Sequence, residues 1–515
     1  MPTAHRTVYQ RPLPEGFTFG GFMIDILNIV LAVLSIFPAA FAALLALIGI
    51  VGGIKRGTMF TLIRLGVIAV SFVFALLLSL VLLPVLDGVL AGAMTQLLSG
   101  FGGLEDLPME GVAECAGILA GAVLCPFLFC IFYLVIDLVH HIVFHAVASR
   151  YYRDTDKTFL SRLGGAAIGL VSALLVSVFL LTPLAGTVTV ATTATGSLEE
   201  EGYEFPNSET VYEFGEKLTE IPSLALIRSL GGQALYDALA VVRFEDGSHP
   251  LPHEIAYVAK TVAYGSRLGT PLIHYNAEQI TALRKIAEYC DETGILPHLG
   301  GEAISALAAE MSESGSAMSF VLPDFGPYLS DLFDKAFDIL ATTTPELVSE
   351  DLRAMADLLE VMVRYEILIS IESDYATLDN LAKPGFAEDL NEVLHAHPRL
   401  EPLRDEIGRI ALLAIAGAVD VDDFGEVEQT ALSSVASEIT RLLHETGSEE
   451  ELADRLNSFL DSADASADIG ASGLTNFVAS TLMHHFDGKE AVSAGDLEQL
   501  IRDYRDELIA NGYPV

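Results

Sequence analysis

The sequence has no tryptophan, only four cysteines and a shortage of basic residues, with 28 Lys and Arg against 69 Asp and Glu. Each shortage excludes something. Without Trp, the strongest anchor at a membrane–water interface is missing. Cys115, Cys125 and Cys130 fall inside one apolar run and Cys290 stands alone, so no disulfide framework can be drawn. A formal net charge of −41 repels phosphate backbones and argues against a nucleic-acid partner. Such a field attracts divalent cations or basic partners without selecting among them.

The acidic excess is confined to one part of the chain. Residues 1–195 carry 9 Lys/Arg and 10 Asp/Glu, a net of −1, whereas residues 196–515 carry 19 and 59, a net of −40. The first part holds four charge-free apolar segments, at 26–54, 65–86, 115–136 and 163–188. A membrane span needs roughly 20 apolar residues, because a helix rises about 1.5 Å per residue and the hydrocarbon core is about 30 Å thick. Each segment meets that length, so membrane lipid is an expected partner. The chain opens with polar and Pro-containing residues. The first apolar run exceeds the roughly 7–15 residues of a signal-peptide core, so it is expected to stay as an anchor. At about 43 Å it is too long for one upright span and too short for two. With Pro38 near its middle, a tilted or kinked helix with its first turns in the interface is expected.

Charges between the segments set an expected orientation. Lys55, Arg56 and Arg64 follow the first segment, and Arg150, Arg153, Lys157 and Arg162 follow the third. The intervening loop carries Asp87, Glu105, Asp106, Glu110 and Glu114. By the positive-inside rule the basic loops face the cytoplasm, leaving the N-terminus and the acidic part outside. Arg6 and Arg11 pull weakly the other way.

Small residues recur every four positions on two segments, as Ala113, Gly117, Gly121 and Cys125 and as Gly165, Gly169, Ala173 and Ser177. Each row lies on one helix face and lets backbones approach closely. The third and fourth helices are expected to pack through them. Beyond a Thr-rich connector the acidic part reads as helix. Leu352, Met355, Leu359 and Met362 form one stripe. Ser448 with Glu451 and Ser493 with Asp496 have capping-box spacing ahead of further stripes, and Asn276 with Gln279 suggests another start.

No chemical motif is complete. Gly470, Ser472 and Gly473 approach a nucleophile elbow that Leu474 breaks. Asp420, Asp422, Asp423 and Gly425 start like a calcium loop, but Ala431 stands where a bidentate Glu is needed. His484, His485 and Asp487 suit a metal less well than an exposed helix end. Asp137, His140, His141 and His145 follow the third segment, with His141 and His145 spaced for a metal or proton relay. Polar residues are ordinary where a chain leaves the membrane, and that reading ranks first here. No catalytic, cofactor-binding or metal-ligating residue is assigned, and no cofactor is expected.

Three short stretches resemble the colicin V production protein (CvpA) family over about residues 22–190. Met23-Ile24-Asp25-Ile26-Leu27 is similar to the family's Asp ahead of the first span. Gly53-Ile54-Lys55-Arg56-Gly57 is similar to its Gly-x-x-Arg-Gly turn. Arg162, Gly165 and Gly169 match the opening of its last span, with Ser161 in place of an acidic residue. The resemblance implies four spans in the inner membrane and a role in toxin production or export and in envelope maintenance. Some relatives carry an external serine protease, whose Gly-Asp-Ser-Gly-Gly stretch is absent here.

The expected fold is all-α: a four-helix transmembrane bundle, then a mainly α-helical acidic soluble domain. The expected organisation is a polar tail at 1–21, a membrane domain at 22–190, a linker at 191–210 and an external acidic domain at 211–515, divided near 312–326. The expected function is a non-enzymatic scaffold displaying an interaction domain to other envelope proteins, compatible with a homo-oligomer. The alternatives are a transporter or channel component, which would want polar groups in mid-span, and a membrane-anchored enzyme.

Overall fold

A backbone in hydrocarbon must satisfy its own N–H and C=O groups, so long charge-free runs fold as helices. A computed structural model describes residues 19–98, 109–151, 158–244, 247–269, 275–313, 326–367, 383, 385–419, 424–445, 448–463 and 474–510. The polar tail up to residue 18, the Asp420, Asp422 and Asp423 run, most of the 312–326 division and the Gly470, Ser472 and Gly473 stretch lie outside the described residues. The described chain is almost wholly helical, with one two-stranded antiparallel ribbon. It divides into two units, 1–263 with 292–295 and 264–291 with 296–515.

The first unit is built on α1 (Phe19–Arg56), α2 (Thr58–Leu98), α3 (Met109–Tyr151) and α4 (Phe159–Glu200). All four are long and apolar enough to cross a membrane. α1 pairs with α4 and α2 with α3. Large apolar side chains such as Ile36, Leu47, Phe74, Val81, Leu138 and Ile142 stay exposed, as lipid-facing positions require. Gly57 alone separates α1 from α2, and its φ of +81° is one that a Cβ-bearing residue rarely adopts.

Two expectations are corrected. The small-residue rows of α3 and α4 do not face each other. A Cβ on Gly165 or Gly169 would strike the carbonyl oxygen of Gly53 or Gly49 on α1, and one on Gly49 would also meet Ala173 at 2.7 Å. A Cβ on Gly117 would lie 2.6 Å from the Ala91 backbone of α2, and one on Gly121 would strike Asp87. Both rows bring helices together, but each pairs with the helix that carries its own partner row or gap. Nor does a linker begin at 191. α4 continues through the Thr-rich stretch to Glu200, and within it Thr187, Thr189 and Thr195 turn their hydroxyls back to the Pro183, Ala185 and Ala191 carbonyls at 2.8, 3.1 and 3.1 Å.

The surplus length of α1 and α4 has a use. α5 (Ser208–Thr219), α6 (Pro222–Ile227) and α7 (Gln233–Leu239) pack on it. Leu218, Ile221, Leu224 and Ile227 join Leu181, Ala185 and Val188 of α4 in one core, with Leu31, Leu34 and Phe41 of α1 against it. The Tyr236 ring lies against Gly186, and Thr189 donates to Gln233 Oε1 at 2.8 Å. The first unit therefore runs on past the expected boundary. It also includes the ribbon β1 (Val241–Arg243) and β2 (Ser248–Pro250) and most of α8 (Leu251–Gly265).

The second unit is a set of amphipathic helices. α9 (Ala277–Asp291) packs Ile280 and Leu283 against Ala356 and Leu359 of α12 (Val348–Arg364), the helix expected from the Leu352–Met362 spacing. α10 (Ile295–Glu313) and α11 (Gly326–Ala341) lie between them in sequence. The chain ends in α13 (Phe386–Ala396), α14 (Glu401–Ala418), α15 (Glu426–His444), α16 (Glu449–Ser462), α17 (Thr475–His485) and α18 (Ala494–Ala510). Leu412, Val435, Ile439, Leu456, Phe459 and Val478 are central to the core that α14 to α18 share. Ser448 caps α16 by accepting from Glu451 N. Ser493 and Asp496 exchange backbone N–H bonds of 2.9 and 3.2 Å at the start of α18, as their spacing implied.

Candidate functional site

The motif residues converge at one end of the bundle, called here the turn end because Gly57 lies there. Two stretches about a hundred residues apart in sequence meet. Gly53 and Gly57 lie against Gly165, and Gly164 lies against Thr58. Thr58 N, the first amide of α2, donates to Ser161 Oγ at 3.3 Å, and Thr58 Oγ1 donates to the Ser161 carbonyl at 2.8 Å. Ser161 thus accepts at a helix N-terminus, where a carboxylate would also serve. Arg56 and Arg162 are exposed, with the Arg56 guanidinium 5.7 Å from the Phe60 ring centroid. Asp25 lies within α1, and its side chain is outside the described residues.

Just inside this end sits a polar cluster. Arg64 Nη2 of α2 donates to Asp137 Oδ2 of α3 at 2.5 Å, with both side chains largely buried. One turn further along α3, His140 Nδ1 lies 2.8 Å from Ser71 Oγ. The Ser71 hydroxyl also bonds the Val67 carbonyl at 2.9 Å. Four buried polar atoms here meet no hydrogen-bonding group among the described residues: Arg64 Nη1, Asp137 Oδ1, Tyr133 OH and His141 Nδ1. The His141 and His145 rings stand 6.2 Å apart, and Arg56, Arg64 and Asp137 all act electrostatically on His141. Deeper in the bundle lies a group of aromatic rings. Phe72, Phe129, Tyr133 and Phe179 contact one another at 4.5 to 6.5 Å between centroids.

A second intramembrane carboxylate lies far off along α2. Asp87 sits about 34 Å from Arg64 at ~1.5 Å per residue, close to the thickness of the hydrocarbon core. Its Oδ1 rests over Gly121 and meets no hydrogen-bonding group among the described residues, and Arg243 of the ribbon acts on it electrostatically. The stretch of α2 between Arg64 and Asp87 is thus about as long as an apolar layer is thick.

The second unit carries ion-pair networks. Arg284 bridges Asp357 at 2.6 Å and also Glu360, and His397 Nε2 lies 3.0 Å from Asp357. The Arg284 hydrogen bond holds Glu360 below the usual carboxylate range. Burial pushes the Cys290 thiol up to about 12, which leaves it a protonated, inert core residue. His484 pairs with exposed Asp405 at 3.1 Å, and among the described residues no group of three His, Cys, Asp or Glu side chains is placed to hold a metal ion.

Sequence reading found Asp137 and the histidines but not their partners. Arg64 lay at the edge of an apolar segment and read as loop charge, and Tyr133 and Ser71 read as span residues. Only antiparallel pairing of α2 with α3 joins them. No known protein family, curated protein or solved structure matches the chain.

Proposed function

We propose that the chain is a multi-pass inner-membrane scaffold of the colicin V production type, with a role in toxin production or export and in envelope maintenance. The observation that supports this reading is the meeting of the two motif stretches. Gly53, Gly57 and Thr58 close on Ser161, Gly164 and Gly165, so residues that resemble one family form one physical junction. Ser161, the one departure from the family pattern in that junction, still serves as a hydrogen-bond acceptor. The basic turn end faces the cytoplasm, and the acidic helices stand outside as a surface for other envelope proteins. Large apolar side chains left exposed on those helices, such as Val427 and Ile509, suit such contacts.

The test is photocrosslinking in living cells, with the full chain carrying a photoreactive residue at position 427 or 509. Discrete adducts with envelope proteins are expected. Adducts with lipid alone, or none, overturn the scaffold reading. A second reading, a component of a transport system, draws on the polar atoms within the bundle.

A further inference from the structure

Burying a polar atom without a partner is costly, and buried groups in proteins are nearly always paired, to protein or to water. Four such atoms in one place are therefore an unusual arrangement. They are also complementary. Arg64 Nη1 donates, Asp137 Oδ1 accepts, and Tyr133 OH and His141 Nδ1 can each do either, depending on protonation. Water can satisfy all four, since it both donates and accepts.

Their order along α3 adds a direction. Tyr133, Asp137, His141 and His145 follow at four-residue steps, so they line one face at about 6 Å per step. Tyr133 is 1% exposed, Asp137 about a fifth exposed, and His145 open to the surroundings at the turn end. The file runs from the outside of the bundle inward and stops at the Phe72–Phe129–Phe179 rings.

We propose that these side chains hold a short chain of internal water, through which Asp137 exchanges protons with the aqueous phase at the turn end. In the uptake step a proton enters from solution by way of His145. The His141 ring accepts it at one nitrogen and releases the proton of the other to the water chain, which forms an O–H bond at Asp137 Oδ1. Protonation discharges the carboxylate and weakens its bond to Arg64, so proton occupancy biases the α2–α3 contact. The charged groups around Asp137 are Arg64 on α2, His140, His141 and His145 on its own helix, and Arg56 at the end of α1. α4 brings no charged side chain between Arg162 and Glu199. The aromatic rings make the path blind, so the site takes up protons without passing them across the membrane.

The site is tested on the full chain in lipid nanodiscs. Hydroxyl-radical footprinting labels side chains that touch bound water even when they are buried. Tyr236 is an internal control, since it is equally buried and its hydroxyl is hydrogen-bonded to Thr187. Tyr133 is expected to label several-fold faster than Tyr236. Equal labelling overturns the proposal and needs no substitution that could misfold. Infrared difference spectra between neutral and acid pH are expected to show the C=O band of a protonated carboxylic acid that Asp137→Asn removes and His141→Gln slows. A band unchanged in Asp137→Asn, in protein that elutes as the wild type does, also overturns it.

Discussion

Glu254 illustrates how one carboxylate can fix a segment of chain. It is 1% exposed, and its Oε1 accepts from His249 Nδ1 at 2.7 Å and from Gly294 N at 3.0 Å. Its Oε2 accepts from Ile295 N at 3.2 Å, so a side chain forty residues away supplies the N-terminal cap of α10. Removing it strands two buried backbone amides. Glu254→Ala is expected to destabilise the first unit by about 3 kcal/mol, and Glu254→Gln, which keeps one acceptor oxygen, by less. Thermal unfolding of the full chain in detergent measures this, with amide exchange at Gly294 and Ile295 as the local readout. Wild-type exchange there in Glu254→Ala would refute the role. Nothing in the sequence pairs Glu254 with residue 294. The caps at Ser448 and Ser493 were legible because donor and acceptor lie three residues apart. The Ser493 hydrogen bonds even draw the Asp496 carboxyl down to about 2. Polar partners are readable when local and hidden when the fold joins them.

At the scale of helices, the length of the charge-free apolar runs marked four helices able to span a membrane but not which of them touch. Rows of small residues have no address. The row on α1 at Gly49, Gly53 and Gly57 was visible in the sequence at the same four-residue spacing, and it is the one that meets Gly165 and Gly169. Thr content misled as well. Thr favours strands and loops in water, yet in α4 the Thr187, Thr189 and Thr195 hydroxyls reach carbonyls four residues back, and the helix runs on. The glycine contacts give a sharp test. Gly165→Leu and Gly169→Leu force α1 and α4 apart and are expected to lower the unfolding temperature in detergent markedly, since overpacking typically costs about 1–3 kcal/mol per site. Gly66→Leu is the control, because no atom lies within 4 Å of a Cβ built there. Loss of stability in Gly66→Leu equal to that in Gly165→Leu would remove the crossing as the cause. A loss confined to α3–α4 crosslinks would restore the pairing first expected.

At the scale of the whole molecule, the contrast in charge was plain from composition, and the division into units was not. Residues 208–263 carry short amphipathic stripes of the kind any soluble helix shows. What they cover is the surplus length of α1 and α4, which no local pattern reveals. The same geometry bears on orientation. Lys55, Arg56, Arg64 and Arg162 gather at the turn end, while Asp87 and Glu114 lie toward the other end, from which α4 emerges with Glu199 and Glu200. Basic residues near span ends are held on the cytoplasmic side, so the turn end is expected inside and α5, with everything after it, outside. An alkaline phosphatase fused after Val515 should then be active, and a reporter that works only in the cytoplasm should be silent. The reverse pattern would place the acidic helices in the cytoplasm. It would also turn the His145 end of the bundle to the outside, where the proposed proton site would sample external rather than internal pH.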